Sequence, residues 1–88
     1  MTDTVTLPSL SRIAIAALAS PSLKGNAREF ASPYLRALTH VSDTAEHYGA
    51  DSVTSVIAYA LSNLSAWRGD DARECKRILR AHLAARGA

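Results

Sequence analysis

The chain has 88 residues, of which 48% are hydrophobic and 20% charged, and its formal net charge is +2. That balance is too apolar for a disordered chain, and the length fits a single domain over residues 1–88. One cysteine, Cys75, excludes an internal disulfide, and no run approaches the ~20 apolar residues of a membrane span. A reducing cytoplasm is the expected location. A domain of this size hides only about 60% of its unfolded surface, so its helices must pack efficiently or a partner must complete the core.

Residues 1–6 are polar or small and are expected to fray. A first helix is expected from Pro8 to Ala19, preceded by Thr6 or Leu7, with Pro8 in the first turn where its missing N–H costs nothing. Leu10, Ile13, Ala14, Ala17 and Leu18 share its apolar face, and Ile15 lies off it. Ser20-Pro21-Ser22 ends it. Asn26, with Glu29 three residues on, has a capping-box pattern for a second helix. Pro33 should break or kink that helix. Beyond Pro33 the face Tyr34, Leu35, Leu38, Val41, Ala45 and Tyr48 carries it to Gly49, a left-handed terminator.

Asp51 is the expected cap of a third helix, Ser52–Ala66. Val53, Val56, Ile57, Ala60, Leu61, Leu64 and Trp67 recur there at spacings of three and four. Gly69 ends it. Asp70 or Asp71 caps a fourth helix, Ala72 to about Ala85, in which Asp71 and Glu74 form a second capping-box pair. Its buried side is Ala72, Cys75, Ile78, Leu79 and Leu83. These elements predict an all-α domain, a small bundle of about four helices.

Charge is unevenly distributed. Between Ala37 and Trp67 the charged residues other than histidine are Asp43, Glu46 and Asp51, whereas Arg73 to Arg86 holds five basic residues and one acid, Glu74. Arg73, Lys76, Arg77 and Arg80 form a basic stripe suited to phosphates or to acidic side chains on a protein. Arg68 and Trp67, at the turn before that helix, join the stripe as candidate partner-binding residues. The competing account is a solvated face with cations drawn toward a helix C-terminus. Helices three and four also have the layout of a helix-turn-helix, but Asp70, Asp71 and Glu74 crowd the end that would enter a groove.

Other constellations are weaker. His40, Asp43 and His47 share a helical face only loosely and lack a matching pair elsewhere, so no metal and no cofactor is expected. Cys75 falls on an apolar face without a base, and no catalytic set is present, so the chain reads as a non-enzyme. Exposed Ile15 and Tyr59 are candidates for a self-association surface in a structural subunit, and either a monomer or a homodimer is compatible with the sequence.

Phe30 to Leu83 resembles a set of small helical proteins encoded by bacteriophages and prophages. The resemblance rests on Pro33-Tyr34-Leu35, Tyr48-Gly49-Ala50-Asp51-Ser52, Ser62-Asn63-Leu64, Trp67-Arg68-Gly69 and Ala72-Arg73. It implies a phage or mobile-element protein that binds and inhibits a host protein complex, as anti-CRISPR proteins bind Cas effectors. The second expectation is a small DNA-binding regulator.

Overall fold

The computed structural model describes residues 7–87, and residues 1–6, expected to fray, lie outside them. The elements in order are α1 (Leu10–Ala19), α2 (Gly25–Leu38), β1 (His47–Tyr48), β2 (Asp51–Ser52), α3 (Val53–Asn63) and α4 (Asp70–Ala85). The fold is mostly helical, as the periodicity predicts, with a small two-stranded hairpin added. Each helix packs on two others: α1 on α2 and α4, and α3 on α2 and α4. Their apolar faces meet in one cluster that includes Leu10, Leu23, Leu35, Ile57, Leu64 and Leu79. Burial of such side chains contributes roughly 1.5–3 kcal/mol each before chain entropy is counted.

The helix starts differ from the sequence expectation, and in α1 a distant group shares the capping. α1 begins at Leu10, not Pro8. Ser9 is its N-cap, with Oγ accepting from the Arg12 N–H at 3.1 Å. A second acceptor comes from far along the chain, as Asp43 Oδ1 takes the Leu10 N–H at 2.8 Å. Two of the four orphan donors at this terminus are thereby satisfied. Pro8 sits outside the helix, where its carbonyl accepts a hydrogen bond at 2.7 Å from Nε2 of the buried His82.

α2 has no side-chain cap, so the Asn26–Glu29 capping box does not form. Arg28 organises the entry instead. Its Nε donates to the Leu23 carbonyl at 2.7 Å and its Nη2 to the Leu18 carbonyl at 2.5 Å, tying the end of α1 to the start of α2. The helix is not broken at Pro33 and runs on to Leu38. Pro33 is on the exposed side, where water can satisfy the carbonyl left without a donor, while Ser32 Oγ donates back to the Arg28 carbonyl.

The largest departure follows Leu38. The expected continuation to Tyr48 is replaced by turns and a hairpin. The Thr39, His40 and Val41 N–H groups bond back to carbonyls of the last turn, which turns the chain and buries Val41. In the hairpin His47 pairs with Ser52 and Tyr48 with Asp51. Gly49, with φ +63°, is the first of its two loop residues, where a tight hairpin turn accepts a glycine. Gly49 therefore closes a hairpin and does not end a helix.

α3 starts at Val53 because Ser52, not Asp51, is its cap, with Oγ accepting from the Ser55 N–H at 3.0 Å. It stops at Asn63, before the expected Ala66, and tight turns deliver Trp67 back to the core through a bond from its N–H to the Leu64 carbonyl at 2.9 Å. Gly69, with φ +109°, precedes α4, which begins at Asp70 without a side-chain cap. The Asp71–Glu74 capping box is absent. Asp71 Oδ2 instead accepts from Ser20 Oγ at 3.1 Å, and Glu74 turns toward Arg77. The expected buried side of α4 is present, with His82 added and Leu83 only partly covered.

Candidate functional site: a cationic pocket at the α3–α4 corner

The six basic-stripe candidates separate into three groups. Arg73 and Arg77 are paired within α4. Arg73 Nη2 lies 2.6 Å from Asp70 Oδ1, and Arg77 Nη2 lies 2.6 Å from Glu74 Oε2, both one helical turn apart and open to water. The hydrogen bond from Arg77 holds the Glu74 carboxyl below its ordinary range and raises the guanidinium in return. Both cations thus have a local counter-charge before any partner arrives.

Lys76, Arg68 and Arg80 form the second group. Lys76 Nζ donates to the Trp67 carbonyl at 2.6 Å, which draws the ammonium against the corner. Desolvation there, and then the positive charges of Arg80 and Arg68, push the Lys76 pKa below its usual value. The three cations converge on one place. Together with Ser65, Gly69, Ala72 and Arg73 they line a shallow pocket of about 360 Å³. Its walls carry four cationic side chains and no carboxylate.

Trp67 makes up the third group. It is 3% exposed, and its indole N–H donates to Ser22 Oγ at 2.8 Å. The ring therefore offers little surface of its own. Trp67 lies at the floor of the site and holds Lys76 through its backbone carbonyl.

The remaining candidates separate in space or close up. His40, Asp43 and His47 occupy a turn, a loop and a strand, so the helical spacing that grouped them does not exist. Asp43 serves as the distant cap of α1. Cys75 is buried, and burial pushes its thiol up to about 11, against a smaller opposing pull from Lys76. Such a thiol is a poor nucleophile at neutral pH. It borders an apolar cavity of about 480 Å³ between α1 and α4, along with Ile13, Ala17 and Trp67.

Sequence reasoning missed the structural roles of Arg28 and Arg86. Arg86 donates from Nη1 to the Ala45 carbonyl at 2.7 Å and from Nη2 to the Asp43 carbonyl at 2.6 Å, fastening the end of α4 to the segment before the hairpin. No short-range pattern carries such contacts. It also missed Phe30, which is exposed on α2 one turn before Tyr34. Tyr34 meets Tyr59 of α3 with ring centroids 5.5 Å apart and planes tilted by 46°.

No family model matches the chain, and no curated protein or solved structure matches it.

Proposed function

We propose that this chain is a non-enzymatic binding protein that docks its cationic α3–α4 corner on an acidic face of another protein. The observation that carries the reading is the pocket of Arg68, Arg73, Lys76 and Arg80 without a carboxylate in its walls. Lys76 is held in place by a backbone carbonyl, so part of the ordering cost of binding is met in the free protein. Arginines at such a corner present planar forks that match carboxylates. The phage-like pattern of the sequence supports a host complex as the target, with the helical domain covering a functional site such as that of a CRISPR-associated effector.

A nucleic-acid partner is the second reading, favoured by the same cations. Against it, Asp70 and Asp71 stand at the first turn of α4 and are exposed, where a helix-turn-helix reader would meet phosphates. Arg73 and Arg77, the residues nearest to base-reading positions, are already paired with carboxylates.

The test is capture of partners from nuclease-treated bacterial lysate by the tagged protein, beside a variant carrying Arg68→Glu, Lys76→Glu and Arg80→Glu. A stoichiometric protein retained by the native chain and lost by the variant supports docking through this corner. Retention by both removes the corner from the interface. Recovery of nucleic acid alone, abolished by nuclease and by moderate salt, replaces the protein partner with a phosphate backbone.

A further inference from the structure

The carboxylate-free pocket at the α3–α4 corner holds more positive charge than one acidic side chain balances. Arg73 is paired with Asp70, but Arg68, Lys76 and Arg80 have no ion pair among the described residues. Lys76 gives one N–H to the Trp67 carbonyl at 2.6 Å and keeps its other donors for a ligand. Arg68 and Arg80 are exposed, each with a planar fork of N–H groups. Desolvation, and then the charges of Arg80 and Arg68, hold the Lys76 pKa below its ordinary value. An anion placed among the three relieves a repulsion that is built into the free protein.

A carboxylate brings one charge and two acceptor oxygens to such a site. A phosphate monoester brings about two charges and three acceptor oxygens, and so engages all three cations at once. The surroundings favour an isolated phosphate over a strand of them. Arg73 and Arg80 also line the adjoining pocket, whose other walls are Asp70, Glu74 and Arg77. A nucleic-acid backbone continuing that way would meet two carboxylates. The Trp67 ring is buried and is the single aromatic group lining the cationic pocket, so little surface is present on which a base could stack. The pocket is also shallow, with Arg68, Gly69, Arg73 and Arg80 exposed on its walls, so a free ion would keep much of its water. A phosphate carried on a protein that is already docked arrives instead at high effective concentration.

We propose that the pocket of Arg68, Lys76 and Arg80 takes a phosphorylated side chain of the partner protein. This inference rests on the docking reading above and names the acidic group that the corner recognises.

The experiment titrates the full chain with a glycine-flanked phosphoserine peptide, followed by NMR of the Lys76 ammonium and the arginine side chains. Peptides with glutamate or unmodified serine at the centre are the controls. The phosphoserine peptide is expected to bind roughly tenfold more tightly than the glutamate peptide, the equivalent of about one further charge-assisted hydrogen bond. Its binding should raise the Lys76 pKa toward the ordinary value. Arg68→Gln and Arg80→Gln should each weaken it roughly tenfold, with far-UV circular dichroism unchanged because both side chains are exposed. Equal binding of the phosphoserine and glutamate peptides overturns the proposal and leaves docking on an acidic face untouched. Lysate capture, repeated after phosphatase treatment, tests the source of the phosphate. Capture lost with phosphatase supports the proposal. Capture indifferent to phosphatase, yet lost in the charge-reversed corner variant, overturns the phosphorylated side chain while the docking reading stands.

Discussion

The indole N–H of Trp67 donates to the hydroxyl of Ser22 across 2.8 Å, joining the turn between α3 and α4 to the turn between α1 and α2. The two residues are 45 positions apart, so the bond closes the bundle at one end. On its backbone side the same tryptophan holds Lys76. The core and the cationic corner are therefore mechanically one unit. Trp67→Ala should cost about 3–5 kcal/mol, a large share of the stability of a domain this small. Trp67→Phe keeps most of the apolar volume and should cost about 1 kcal/mol for the lost hydrogen bond. Chemical denaturation of the two variants separates these contributions, and equal losses would show that the bond to Ser22, lost in both, outweighs the volume lost only in the alanine variant.

Arg28 is the second fastening. Its guanidinium reaches two carbonyls at the α1–α2 junction in a fork that an ammonium cannot reproduce. Arg28→Lys should therefore destabilise the fold by about 1–3 kcal/mol, nearly as much as Arg28→Ala. Urea midpoints measure this, and a lysine variant as stable as the native chain would rule out the fork as the reason.

Pro33 interrupts the hydrogen-bond ladder of α2 on its exposed side. Pro33→Ala should restore the missing bond and stabilise the protein by about 1–3 kcal/mol. Thermal unfolding should show a higher midpoint. A lower one would mean that the proline shapes the helix for its packing on α1 and α3.

Cys75 gives a pH signature. Its thiol is raised from the ordinary 9.0 to about 11 by burial. The unfolded chain therefore releases this proton near pH 9 while the folded chain keeps it to about pH 11. The contribution is fully present below pH 9 and is lost as pH rises from there toward 11. Stability should fall over that window with a slope approaching 1.4 kcal/mol per pH unit, roughly one proton's worth. Cys75→Ala should flatten the slope relative to the native chain, which assigns the difference to this thiol. At pH 7.5 the native thiol should also resist alkylation until denaturant is added.

The sequence by itself determined which faces are buried. The three- and four-residue spacing of Val53, Val56, Ile57 and Ala60 and of Ala72, Cys75, Ile78 and Leu79 names the inner sides of α3 and α4, because apolar burial acts locally along each helix. The basic character of α4 was equally plain. The helix ends were not. Asp43 caps α1 from 33 residues away, α2 starts without a side-chain cap while Arg28 ties its first turn to the Leu18 and Leu23 carbonyls, and the segment after Leu38 abandons a helical pattern for a hairpin that positions Ser52 as the cap of α3. Local propensity is too weak to decide among such alternatives once distant groups compete for the same backbone donors. The division of the basic stripe was decided the same way. In the sequence Arg73, Lys76, Arg77 and Arg80 are one row of cations. Only the folded chain pairs two of them with carboxylates and brings Arg68 round the Gly69 turn to join the others over Trp67, since charge pairing and convergence depend on distances that the order of residues does not contain.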